Sequence, residues 1–171
     1  MEKAQAFVIR DYQTADFADL CRLVAEFYTV HHRLAGHGPM PGDEAALVIQ
    51  DDMLGPDSHI LVAETSDTSE IVGFCRYERH QGAFFGRELC VLETKRFRGA
   101  GTALLRAVEK RIQDAGEPNL FISVVARNAQ ALQFFAKRGY NILNTVEVRT
   151  PFPEERIVRK PIDMLGLRLR Y

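Results

Sequence analysis

The sequence predicts a single α/β domain, a mixed β-sheet carrying helices on its faces. Three observations predict it. Strand-like and helix-like segments follow one another as βααββ, then βα, βα, and a closing β-hairpin. The chain has 171 residues, enough for one domain with a sizeable core and too few for two ordinary ones. Residues 89–105, LCVLETKRFRGAGTALL, read as a strand, a basic glycine loop and a helix start.

Taken in order, Phe7 to Arg10 form a first short strand, and Thr14 is placed to cap the helix that follows to about His32. Phe17, Leu20, Cys21, Val24, Phe27 and Tyr28 mark one face of that helix with a 3.6-residue period. Residues 35–42, AGHGPMPG, are a loop by composition, and a second helix runs from about Asp43 to Leu54. Strands at 59–64 and 71–79 flank a polar turn. Residues 81–86 link to a strand at 87–93, which enters the glycine loop. The helix after the loop carries Leu104, Leu105, Val108 and Ile112 at helical spacing and ends near Gly116. Residues 119–126 read as a buried strand, and Asn128 caps a helix that ends at Gly139. Two more strands fall at 142–149 and 156–162, around a proline-rich turn.

Bulk composition narrows the function. A hydrophobic fraction of 46%, a charged fraction of 26% and a net charge of −1 give no general attraction to nucleic acid or an anionic membrane. Residues 1–10 lack an apolar signal region, and the three cysteines show no CxxC pattern. Cys21, Cys75 and Cys90 therefore read as packed thiols of a cytoplasmic protein.

The glycine loop suits an anion. Lys95, Arg96 and Arg98 bring positive charge, Gly99 and Gly101 free the backbone, and a helix start presents unpaired N–H groups. The Walker loop is absent, because no glycine is followed by Lys-Ser/Thr. The dinucleotide fingerprint fails because Leu104 stands where its third glycine belongs. Arg/Gln-x-x-Gly-x-Gly/Ala is met by Arg96, Gly99 and Gly101. About thirty residues later, Asn128, Ala131, Phe134, Phe135, Gly139 and Tyr140 follow the spacing Asn-x-x-Ala-x-x-Phe-Tyr-x-x-x-Gly-Phe. Together the two motifs resemble those of the GNAT family of N-acetyltransferases, and the likeness covers nearly the whole chain.

The resemblance implies a central, mostly antiparallel mixed sheet of about seven strands, with helices on both faces and residues 1–171 as one acyl-CoA N-acyltransferase domain. It implies acetyl-CoA as co-substrate, with no metal. The pyrophosphate would lie on Arg96, Phe97, Arg98, Gly99, Ala100, Gly101 and Thr102. The pantetheine arm would run beside Leu89, Cys90 and Val91, between splayed strands, with Asn128, Ala131, Phe134 and Phe135 completing the cofactor side. The first-helix region, with Glu26, Tyr28, His31 and His32, would wall the site for a small-molecule or peptide amine. Phe135 departs from the family pattern, which often has a tyrosine there to protonate the leaving thiolate. A non-catalytic acyl-CoA-binding module is the alternative that this departure keeps open.

Acetyl transfer needs a neutral amine, and an alkyl ammonium loses its proton at pH 7 at a cost of roughly 4 kcal/mol. Glu88 is the first candidate for the base, with direct attack by the amine and no covalent enzyme intermediate. Alternation puts Glu88 and Cys90 on one strand face and Leu89 and Val91 on the other. The competing reading of Glu88 is a strand carboxylate paired with Arg76 or Arg87. Residues 165–171 alternate apolar and polar side chains and read as an added edge strand or a homodimer contact.

Overall fold

The computed structural model describes residues 6–117, 119–150, 160–164 and 166–170. Strands β1 (Phe7–Asp11), β2 (Ser58–Thr65), β3 (Ile71–His80), β4 (Ala83–Val91) and β5 (Leu120–Ile122) form one sheet in that spatial order. Every neighbouring pair is antiparallel except β4 and β5, which are parallel. Helices α1 (Phe17–Leu34) and α2 (Gly42–Val48) precede β2, α3 (Ala100–Asp114) joins β4 to β5, and α4 (Ala129–Ala136) follows β5. Strands β6 (Pro161–Met164) and β7 (Leu167–Arg170) pair with each other as a separate antiparallel hairpin. Among the described residues, no helix is long and apolar enough to cross a membrane.

The apolar patterning explains the layers. Alternate residues of β2 point to opposite faces. Ile60 and Val62 pack with Leu20, Leu23, Val24 and Phe74 on the α1 side. Leu61 and Ala63 pack with Leu104, Val108 and Ile112 of α3 on the other side. A central strand covered on both faces needs a nearly continuous apolar run, and β2 and β3 have one.

Several of the sequence-based expectations need correction. Helix α1 is entered through a 3-10 turn, Thr14–Asp16, and not from a Thr14 cap. Asp16 closes that turn: its carboxylate accepts the Gln13 N–H at 2.8 Å and is held by Arg10 at 2.7 Å. Strand β4 begins at Ala83, not Arg87, because Gln81 and Gly82 form a two-residue hairpin turn, both at positive φ (49° and 83°). Gly86 is a strand residue whose missing side chain admits β5. A Cβ there would stand 2.5 Å from Ile122 Cδ1.

Strand β5 keeps only three of the eight residues expected in it. Residues 142–149 form no strand. Ile142 and Val148 are exposed there, and among the described residues no partner edge meets them. Among the described residues the central sheet therefore has five strands and not about seven. Of the expected strand at 156–162, residues 156–159 lie outside the described residues, as do Leu165 and Tyr171 of the tail. The rest of the tail is extended as expected, but Leu167–Arg170 pairs with Pro161–Met164 and does not extend the main sheet.

Candidate active site

The site begins where β5 leaves β4. The two strands pair through Phe84–Leu120, Phe85–Phe121 and Gly86–Ile122, after which, among the described residues, β4 continues to Val91 with no strand on that side. Just there β4 is bulged: Arg76 faces Glu88 and Tyr77 faces Gly86, leaving Arg87 as the extra residue. The Leu92 N–H donates to Val72 of β3, so by antiparallel alternation Leu89 and Val91 turn their backbone groups into the gap. Arg96 takes the Val91 carbonyl, and the Val91 N–H and the Leu89 groups leave that edge ready to bond an extended amide-bearing ligand.

At the end of β4 the chain turns through Phe97 (φ 64°) and Gly99 (φ 100°) into α3. The first helical bond runs from the Ala103 N–H to the Gly99 carbonyl. The N–H groups of Ala100, Gly101 and Thr102 therefore have no partner within the helix, and they sit at its positive end. Arg96 holds this loop in place. Its Nε donates to the Val91 carbonyl at 3.0 Å, and its Nη2 lies 3.3 Å from Glu26 Oε1. The same Glu26 oxygen accepts the Glu93 N–H at 2.7 Å, so Glu26 ties the loop to α1.

Beyond the gap, Asn128 caps α4 by accepting the Ala131 N–H at 3.1 Å. Phe134 lies over Gly101, where an added Cβ would meet its ring at 3.5 Å. Phe135 is buried, edge-on to Phe134 and to Tyr140. The Tyr140 hydroxyl is engaged by Glu109 at 2.8 Å and lies off the cavity.

Gap, loop and α4 enclose one cavity of about 540 Å³. Of the residues expected on the cofactor side, Leu89, Cys90, Val91, Arg96, Phe97, Gly99, Ala100, Gly101, Thr102, Asn128, Ala131, Phe134 and Phe135 all line it, and Arg98 does not. The candidate base Glu88 lines it, as does His31 of the acceptor-side candidates, whereas Glu26, Tyr28 and His32 do not. Phe27 and Val30 were missed, and their signal was present in the sequence as one α1 face shared with His31.

Glu88 is buried and gripped by an equally buried Arg76, Nε to Oε2 at 2.5 Å and Nη2 to Oε1 at 3.0 Å. Arg76 also bonds Glu78 at 2.8 Å, and Glu78 bonds Arg87 at 2.7 Å. The paired alternative for Glu88 thus holds with Arg76. The carboxylate still faces the cavity and has capacity to accept beyond the two Arg76 bonds. The Tyr28 hydroxyl reaches Glu88 Oε1 at 3.4 Å, and burial together with the Glu88 charge pushes it up to about 12.

His31 stacks on Phe27 at 4.4 Å between ring centroids. Burial pulls its imidazole below the ordinary value of 6.5, against the opposing pull of the Glu88 charge, so it is neutral at pH 7. Burial pushes the Cys90 thiol up to about 12, and the Cys75 thiol likewise, so neither is an activated nucleophile. Among the described residues no three His, Cys, Asp or Glu side chains come together as a metal-binding group.

Comparison with known proteins gives the same picture. A family model of the acetyltransferase (GNAT) domain matches residues 56–142. The uncharacterized N-acetyltransferase YjcF of Bacillus subtilis (strain 168) is 29% identical over 97 residues, which are 57% of this chain and 65% of that protein. The chain thus spans just under two thirds of that relative's length. Among solved structures, aminoglycoside N-acetyltransferase AAC(6')-Iy in complex with CoA superposes with a TM-score of 0.68 at 14% identity, over 88% of this chain and 98% of that one. The BH1408 protein of Bacillus halodurans gives 0.67 at 19% identity, over 84% and 99%. At such identities these two likenesses speak to the fold.

Proposed function

This chain belongs to the GNAT acetyltransferase family, and from that premise we propose that it transfers the acetyl group of acetyl-CoA to a primary amine by direct attack in a ternary complex. One observation carries the reading. A single cavity joins the N–H groups at the start of α3, the open Leu89 backbone and Val91 N–H, and the pair His31 and Glu88.

The residues present fit an acyl-CoA. A loop held open by Gly99 and a helix start favour a pyrophosphate, and strand backbone favours the amides of a pantetheine arm. Acetyl-CoA would supply the activated thioester. Gly99 to Thr102 would bind its phosphates, and Leu89 and Val91 would bond its arm. Glu88 would orient the incoming amine through its charge, and the neutral His31 would take the proton that the amine loses. That assignment moves the base from Glu88, whose oxygens Arg76 engages, to its neighbour. Direct attack is supported by the protonated state of the Cys90 and Cys75 thiols. Phe135 has no proton to give the departing thiolate, which leaves as the anion or takes a proton from water.

The test is release of free CoA from acetyl-CoA in the presence of primary amines, with the acetylated amine identified by mass. Release should depend on the amine. CoA binding without release by any amine would instead make the chain an acyl-CoA-binding module.

The pH dependence of kcat/KM tests His31. Protonation removes the base, so activity should fall on the acid side with a midpoint below 6.5, because burial lowers the folded-state value. His31→Gln should reduce kcat by roughly a hundredfold or more and abolish that acid limb. An unchanged limb would take His31 out of proton transfer. The sign for stability is the same: as pH falls past 6.5 the unfolded chain takes up the proton first, so the folded state loses stability.

A further inference from the structure

We propose that Arg138, just beyond α4 at a variable position of the second motif, is a phosphate-binding residue of this site, acting together with the Thr102 hydroxyl. The proposal rests on the acyl-CoA reading above and extends it to a residue on a different element.

Arg138 lines the cavity beside the first turn of α3, and its guanidinium is fixed from several directions. Nε and Nη2 donate to Thr102 Oγ1 at 3.1 and 2.5 Å, and Nη1 donates to the Phe134 carbonyl at 2.7 Å. The cation also lies 3.6 Å from the centroid of the Phe134 ring. Its acceptors are a hydroxyl and a carbonyl, and among the described residues no carboxylate pairs with it.

The consequence for binding is chemical. A guanidinium has five N–H donors, and three of them are used in these bonds, which leaves two for a ligand. Thr102 Oγ1 accepts twice from Arg138, so its proton is the donor it has left, on the first turn of a helix whose N–H groups are also unpaired. A preorganised cation, an oriented hydroxyl and a positive helix end converge on one wall, where among the described residues no carboxylate meets the cation. A phosphate satisfies all three. Lys137 lines the same cavity and adds charge. A guanidinium beside helix-terminal carbonyls also stabilises the helix, so the test must separate anchoring of α4 from binding of phosphate.

The test compares wild type with Arg138→Gln and Arg138→Lys on acetyl-CoA, acetyl-dephospho-CoA and acetyl-pantetheine, with CoA binding followed by calorimetry. Arg138→Gln should raise the KM for acetyl-CoA about tenfold to a hundredfold with little change in kcat, the signature of lost uniform binding. Arg138→Lys should restore part of that loss. On acetyl-pantetheine, which has no phosphate, the two proteins should show the same kcat/KM. A penalty on acetyl-CoA alone assigns the contact to the 3′-phosphate, and a penalty shared with the dephospho compound assigns it to the pyrophosphate. A penalty that persists in full on acetyl-pantetheine, or no penalty on acetyl-CoA, overturns the proposal. Failure of the wild-type chain to bind CoA would overturn the acyl-CoA reading itself, and calorimetry reports that separately.

Discussion

Glu88→Gln should lower kcat by at least about a hundredfold while CoA still binds, and Glu88→Ala should in addition destabilise the fold by about 3 kcal/mol. The two substitutions separate two roles. Glutamine keeps the shape and an acceptor oxygen for Arg76, but it removes the charge that would orient an ammonium beside His31. Alanine also leaves the Arg76 guanidinium buried without its bidentate partner. Breaking such a pair costs about 3–5 kcal/mol, and the low end applies because Glu78 remains. In a chain of this size that is a fall of roughly 6–12 °C in Tm. Steady-state kinetics and thermal unfolding read the two effects independently. Wild-type turnover in Glu88→Gln would exclude its charge from the reaction. An unshifted Tm in Glu88→Ala would mean that the pair contributes nothing to the fold.

The second large effect concerns two glycines of one motif, with opposite outcomes. Gly99 has φ 100°, where any other side chain is strained. Gly99→Val should shift the following N–H groups and weaken CoA binding by roughly a hundredfold, through about 1–2 kcal/mol of backbone strain and the loss of a charge-assisted bond. Gly101 has ordinary backbone, and its added Cβ would touch Phe134 and Val91 at 3.5 Å, normal contact. Gly101→Ala should therefore change CoA affinity by less than about threefold, a difference under about 0.7 kcal/mol. Calorimetric titration of both variants decides. Equal losses would mean that flexibility of the loop, and not its left-handed turn, matters for binding.

Local chemistry made much of the cavity's loop and α4 lining legible in the sequence. Strand, glycine loop and helix are contiguous at 89–105, and the spacing from Asn128 to Tyr140 fixes one face of α4 and its cap. Apolar periodicity likewise found α1 and α3. What was not legible depends on partners distant in the chain. Gly86 looked like a loop residue because the sequence does not show Ile122 packing against it. The strand pattern of 142–149 has no described partner, so its alternation finds no ladder. Both Arg76 and Arg87 were plausible partners for Glu88, and the bulge at Arg87 is what brings Arg76 opposite it. Arg138 had no signal of its own, since its role depends on Thr102, thirty-six residues earlier in the chain and adjacent in space.

The central claim is that CoA lies along the open edge of β4 and against the start of α3. Hydrogen exchange on the wild-type chain, with and without CoA, tests it most directly. The amides of Leu89, Val91, Ala100, Gly101 and Thr102 should become strongly protected when CoA is added, while those of the β6–β7 hairpin stay unchanged. CoA binding that left these five amides exchanging as in the free protein would contradict the account.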